Sequence, residues 1–412
     1  MWLTDRLIQN PFRIFILFSG VAHVAHAQET VPFVVIVDDG TVEDTPFNSS
    51  ENVTAVIQFM VDAYLASGAE TPEVLSVWTA FPFNGNEIET RFLPLANDVT
   101  GIGLESVYGE EETFDSQLPP LRSVLIHNNY LALADRAAFE DYPTEGFANY
   151  VFLLELSHMW GPAAQLAAPS PARLIGFDFH WSFFMDAGGS PAGGNIWLDN
   201  EDGTFTTQRF DPGQVMFSPI DLYLMGLVVP DEVPPLGLLT DVFLLSNSTD
   251  PFTGTPIAAA SFPWGDEDPV VVEATREVIT IDDIIDANGT RVPAVGMSPT
   301  SWTLGILLIL PQGTPEGEAQ HVLTRGFVDV ASDLAPAFSR ATGGRGTLEV
   351  VTSSPQPPPP PVDEEGNGDE GDASGSCKGC TQADAGGAAA ALLALLLSTT
   401  QRRRTRSRKI AE

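Results

Sequence analysis

The spacing of apolar positions predicts short strands alternating with helices from residue 33 to residue 334. Residues 33–37 are a β-rich run ending in Asp38-Asp39-Gly40, a strand followed by a turn. In 52–66, Val53, Val56, Ile57, Met60, Val61 and Tyr64 recur at helical spacing. Residues 74–83, 88–95 and 122–126 read as strands. Thr144 is placed to cap a helix that carries Phe147, Tyr150, Val151, Leu154 and His158 to Trp160, where Gly161-Pro162 stops it. Residues 179–184 are aromatic and read as buried, and 199–204 give an Asp-Gly hairpin signal. Ser218, Pro219 and Gly226 have the order of a cap, a first-turn proline and a stop around a short helix. A strand over 270–281, a short helix from 282 to 287 and a buried strand over 304–310 follow. The run 316–334 is less sharply patterned and reads as a helix candidate, and no internal repeat is visible.

The two ends have a different character. Arg6 and Arg13 precede an apolar run over 14–24, and Ala25-His26-Ala27 offers a cleavage site, so residues 1–27 read as a secretory signal with processing after Ala27. Residues 353–376 are proline-rich and then acidic and glycine-rich, a composition that predicts an extended, solvated linker. Cys377 and Cys380 follow, then an Ala/Leu stretch over 386–397 and a basic cluster containing Arg402, Arg403 and Arg404. That apolar stretch is shorter than the ~20 residues of a stable span. The three-part tail over 377–412 resembles the myxobacterial-type C-terminal sorting signal (MYXO-CTERM). The resemblance implies membrane attachment before processing near one of the two cysteines, and then display at the cell surface or outer membrane.

Composition narrows the partners. Both cysteines lie in the tail, so residues 28–352 hold no disulfide and depend on their core, as one large domain or two lobes. The net charge is −36, and residues 28–352 contain ten Arg and no Lys; such a surface repels nucleic acid and anionic lipid. The acidic hairpin 199–202 has oxygen donors but no EF-hand spacing, and reads as a plain turn.

The chemistry-bearing signal is Leu154-Glu155-Leu156-Ser157-His158. In an HExxH helix two histidines at i and i+4 share a zinc, and the glutamate beside the first polarises the bound water. Here the glutamate and second histidine are present and Leu154 stands at the first ligand position. Outside the leader there are four histidines, of which His127 and His321 read as structural. The run 97–103, Glu155 and His158 with Trp160, His180-Trp181-Ser182, the Asp-Gly hairpin and 218–226 occur in that order. Together they resemble a family of secreted bacterial zincin-like proteins whose intact members carry HELGHxW on a central helix. The similarity spans most of residues 30–350.

That resemblance implies an α+β fold with the motif helix packed on a mixed or antiparallel sheet. It also implies Glu155 as the catalytic base, His158 as a metal ligand, and a further ligand from His180 or Asp221. Asp221 equally suits the N-terminus of its own short helix. With Leu154 unable to ligate, zinc is expected to bind weakly or not at all. Two functions remain open: a pseudoprotease that binds a peptide or protein, and a metallopeptidase with rearranged ligands at His158, His180 and Asp221.

Overall fold

The computed structural model describes residues 32–47, 49–83, 90–104, 119–134, 144–166, 174–177, 179–208, 215–250, 254–261 and 269–351. The expected leader, the linker and the tail with Cys377 and Cys380 lie outside the described residues.

The first sheet is built from β1 (Val34–Val37), β2 (Val74–Thr79), β3 (Arg91–Pro94), β4 (Ser123–Asn129), β11 (Ser301–Leu310) and β12 (Thr347–Val350). Its order is β1-β11-β2-β4-β3, and β12 joins β11 as well. Every pairing is parallel except that of β3 with β4, so the sheet is mixed through one edge strand. Strands β1 and β12 divide the same partner. Val34–Val37 run beside Leu307–Leu310, and Thr347–Val350 beside Ser301–Leu304.

Period-two alternation explains why both faces are covered. Leu304, Ile306, Leu308 and Leu310 of β11 enter one core, and Leu307 and Ile309 enter another. The second core is closed by helix α1 (Ser50–Ala66), whose Val56, Ile57, Met60, Val61 and Tyr64 are all buried. Ser49 caps α1 through its side chain. The first core lies against α3 (Thr144–Ser157) and α6 (Glu318–Ala341), which pack on each other, with the short α2 (Tyr130–Ala134) beside α3.

The second sheet holds β5 (Ile175–Phe177), β6 (His180–Asp186), β7 (Gly193–Asp199), β8 (Thr204–Gln208), β9 (Leu236–Leu244) and β10 (Val271–Ile279). Strand β9 pairs with both β10 and β6, which closes a five-stranded barrel with β5 appended to β6. Phe183, Trp197, Phe205, Leu239, Val270 and Val272 form its own core. Helix α4 (Pro219–Met225) lies between β8 and β9 in sequence, and α5 (Ile281–Asn288) follows β10. The first core cluster contains Trp181, Met185 and Leu238 of the barrel together with Trp78 and Leu308 of the sheet.

The α+β class that the resemblance implied is observed, with a sheet that is mixed and mostly parallel. The glycines of the 97–103 run have a local reason. Gly101 (φ 74°) and Gly103 (φ 86°) pass so close to the backbone of Thr290 and of Ala163 that neither position has room for a Cβ.

Candidate functional site

The motif helix α3 ends at Ser157, before His158. His158 N donates to Glu155 O at 3.3 Å, Met159 N to Leu156 O at 3.1 Å and Trp160 N to Ser157 O at 3.0 Å. These are bonds to the third residue back, the tighter turn that stacks side chains three apart. Gly161 N returns to the fourth residue back, Ser157 O, at 3.1 Å.

Two positions along β3 locate both side chains. Thr90, immediately before the strand, donates its hydroxyl to Glu155 Oε1. Phe92, two residues on, meets the His158 ring with centroids 5.8 Å apart. Residues two apart share a strand face. Phe92 packs with the core on the α3 side, and Leu93 with the core on the α1 side. Glu155 and His158 therefore lie in a row beneath the edge strand, only 5% and 6% exposed.

His180 completes the cluster. It opens β6, just after Phe179, which holds a positive φ of 65° in the tight β5–β6 connection. Its ring stands edge to face with His158, centroids 4.9 Å apart at 87°. Phe179 lies against His158 at 6.0 Å.

Burial governs the charge of Glu155. Loss of water pushes its carboxyl up to about 7, while the Thr90 hydroxyl and then the Arg91 guanidinium pull it down. Arg91 itself lies across the ring of Phe47, 5.2 Å from its centroid.

Asp221 lies elsewhere. It is the third residue of α4 and forms a capping box with Ser218. Oδ2 accepts from Ser218 N at 2.8 Å, Ser218 Oγ at 2.5 Å and Ser190 Oγ at 2.6 Å, and Oδ1 accepts from Trp181 Nε1 at 2.7 Å. Desolvation raises its carboxyl, and those donors oppose the rise. At the other end of α4, Arg291 donates to the carbonyls of Leu224 and Met225. Of the two candidates for the further ligand, only His180 joins His158. The signal for this was present in the sequence, because Ser218-Pro219-Ile220-Asp221 has the capping-box spacing.

Leu154 is 6% exposed within the first core. Among the described residues, no three His, Cys, Asp or Glu side chains converge as a metal site. The donors present are two imidazoles, fewer than the three protein ligands of a catalytic zinc centre. The described residues do not fit that centre.

His127 is buried as expected for a structural histidine. It stacks on Trp78 with centroids 4.2 Å apart and faces Phe152 of α3 at 6.0 Å. Neither ring nitrogen has a hydrogen-bond partner, and burial lowers its pKa to about 3. His321 is exposed on α6. Thr90 was missed by sequence reasoning, because no local pattern connects residue 90 to residue 155. The chain matches no known family model, no curated protein and no solved structure.

Proposed function

We propose that this chain is an exported zincin-like domain impaired as a peptidase, a pseudoprotease that binds an extended peptide along β3. One observation carries this reading. The ligand position on the motif helix is a core leucine, and Asp221 is fully engaged by four donors, so only His158 and His180 remain together.

Two further observations support the choice of ligand. Among the described residues no strand pairs with the outer edge of β3, and an extended chain can add to such an edge through main-chain bonds. The net charge of −36 favours a cationic peptide. A working peptidase with rearranged ligands, the second reading, draws on the raised carboxyl of Glu155 and requires a third donor from outside the described residues.

The purified chain separates the two. Its zinc content, its hydrolysis of casein and its binding of a fluorescein-labelled peptide alternating valine and lysine are measured together. The expected result is substoichiometric zinc, no hydrolysis, and peptide binding that weakens with salt. Stoichiometric zinc with hydrolysis abolished by Glu155→Gln would overturn the proposal.

A further inference from the structure

Strand β3 is four residues long and, among the described residues, its ladder runs to β4 alone. A short edge strand with one row of ladder bonds belongs to the least stable part of a sheet. Side-chain contacts tie it down as well: Arg91 lies across the Phe47 ring and Phe92 meets the His158 ring. Leu93 packs toward α1, and Thr90, at its start, reaches Glu155 on α3 across 65 residues of sequence. The Thr90 hydroxyl donates to one oxygen of a carboxyl that is 5% exposed.

We propose that Thr90 is a positioning residue, fixing the start of β3 on the motif helix through Glu155, so that this carboxylate braces a binding strand instead of activating water. The inference rests on the reading of β3 as the binding strand. Among the described residues, the ionisable neighbours of Glu155 are Arg91 on β3, His158 after α3 and, beyond His158, His180 on β6. Of these, Arg91 acts on the carboxylate in the same direction as the Thr90 bond.

The test compares the full chain with Thr90→Val, Thr90→Ser, Glu155→Gln and Glu155→Ala. One readout is hydrogen exchange at the amides of Arg91 and Leu93, which face β4 in the alternation that puts Leu95 N on Arg122 O. Thr90→Val and Glu155→Ala should lose roughly 2- to 10-fold in protection, the range for one hydrogen bond. Thr90→Ser keeps the donor and Glu155→Gln keeps an acceptor, so both should stay protected. The second readout is the pH titration of Glu155 followed by its side-chain carbon signal. It should move to higher pH in Thr90→Val and not in Thr90→Ser, because the hydroxyl favours the charged form. A merely structural threonine would leave that titration in place.

Unchanged protection in both Thr90→Val and Glu155→Ala, or an unmoved titration in Thr90→Val, overturns the proposal. If Thr90→Val does not fold, the contrast between Glu155→Ala and Glu155→Gln decides the matter alone. Failure of the valine-lysine peptide to bind the parent chain, with these shifts intact, sinks the binding function and leaves the role of Thr90 standing.

Discussion

His158 and His180 meet edge to face, ring centroids 4.9 Å apart, although one follows the motif helix and the other opens a barrel strand. The contact joins the end of α3 to the first strand residue of β6. It brings together two nitrogen donors from two elements.

Replacing Leu154 is therefore the direct test of metal competence. Leu154→His should raise zinc affinity by more than the roughly 10- to 100-fold that outer-shell contacts contribute. Its cost is an imidazole in a core position, read as a lower midpoint in urea. Equilibrium dialysis against zinc checks the gain. No gain would mean that a histidine at 154 does not converge with His158 and His180.

Asp221 should behave as a cap. Asp221→Ala should destabilise the chain by about 3 kcal/mol, through loss of the cap and four stranded donors. Zinc content should stay at the parent's level. Loss of bound metal without loss of stability would return Asp221 to the ligand set.

Glu155 and His127 impose opposite pH dependences. The Glu155 carboxyl is raised from 4.5 to about 7, so the folded state holds a proton that the unfolded state releases. Its contribution is present below pH 4.5 and is lost as pH rises through 7, about 3 kcal/mol in all. The His127 ring is lowered from 6.5 to about 3, so the unfolded state takes up a proton first. Its contribution is present above pH 6.5 and is lost as pH falls toward 3, about 5 kcal/mol. Between pH 4.5 and 6.5 the two slopes cancel. Urea melts across that window should rise more steeply with pH in Glu155→Gln than in the parent, and fall relative to the parent in His127→Phe. Parallel curves for all three proteins would refute the assignment.

Gly101→Ala and Gly103→Ala should each cost more than about 2 kcal/mol, because positive φ and backbone contact coincide at both. Thermal melts read the loss. Gly188→Ala is the control for φ alone, since nothing lies within 4 Å of its added Cβ.

Strong local signals were legible in the sequence. Ser218, Pro219 and Gly226 bound α4, and the 304–310 run is the inner part of β11. The helix expected over 316–334 continues to Ala341 with Pro336 inside it, where contacts with α3 outweigh its weak pattern. Strand β9 was missed because only its second half alternates. Its first half is buried throughout, where the barrel closes on β6. Strand β12 is four residues with two exposed, and its pairing with β11 alone makes it a strand. The site was legible as residue types. The bond from Thr90 was not, since it joins residues 65 apart in sequence.

The place of β11 sets the order in which this chain can become a protein. Residues 301–310 form the strand between β2 and the pair β1 and β12. Until they arrive, β1 has no partner and β2 lacks one side. A ribosome or a translocation pore releasing the chain from its N-terminus would deliver some three hundred residues before the sheet has a middle. The domain should stay unfolded, and open to proteases and chaperones, until nearly all of it has emerged.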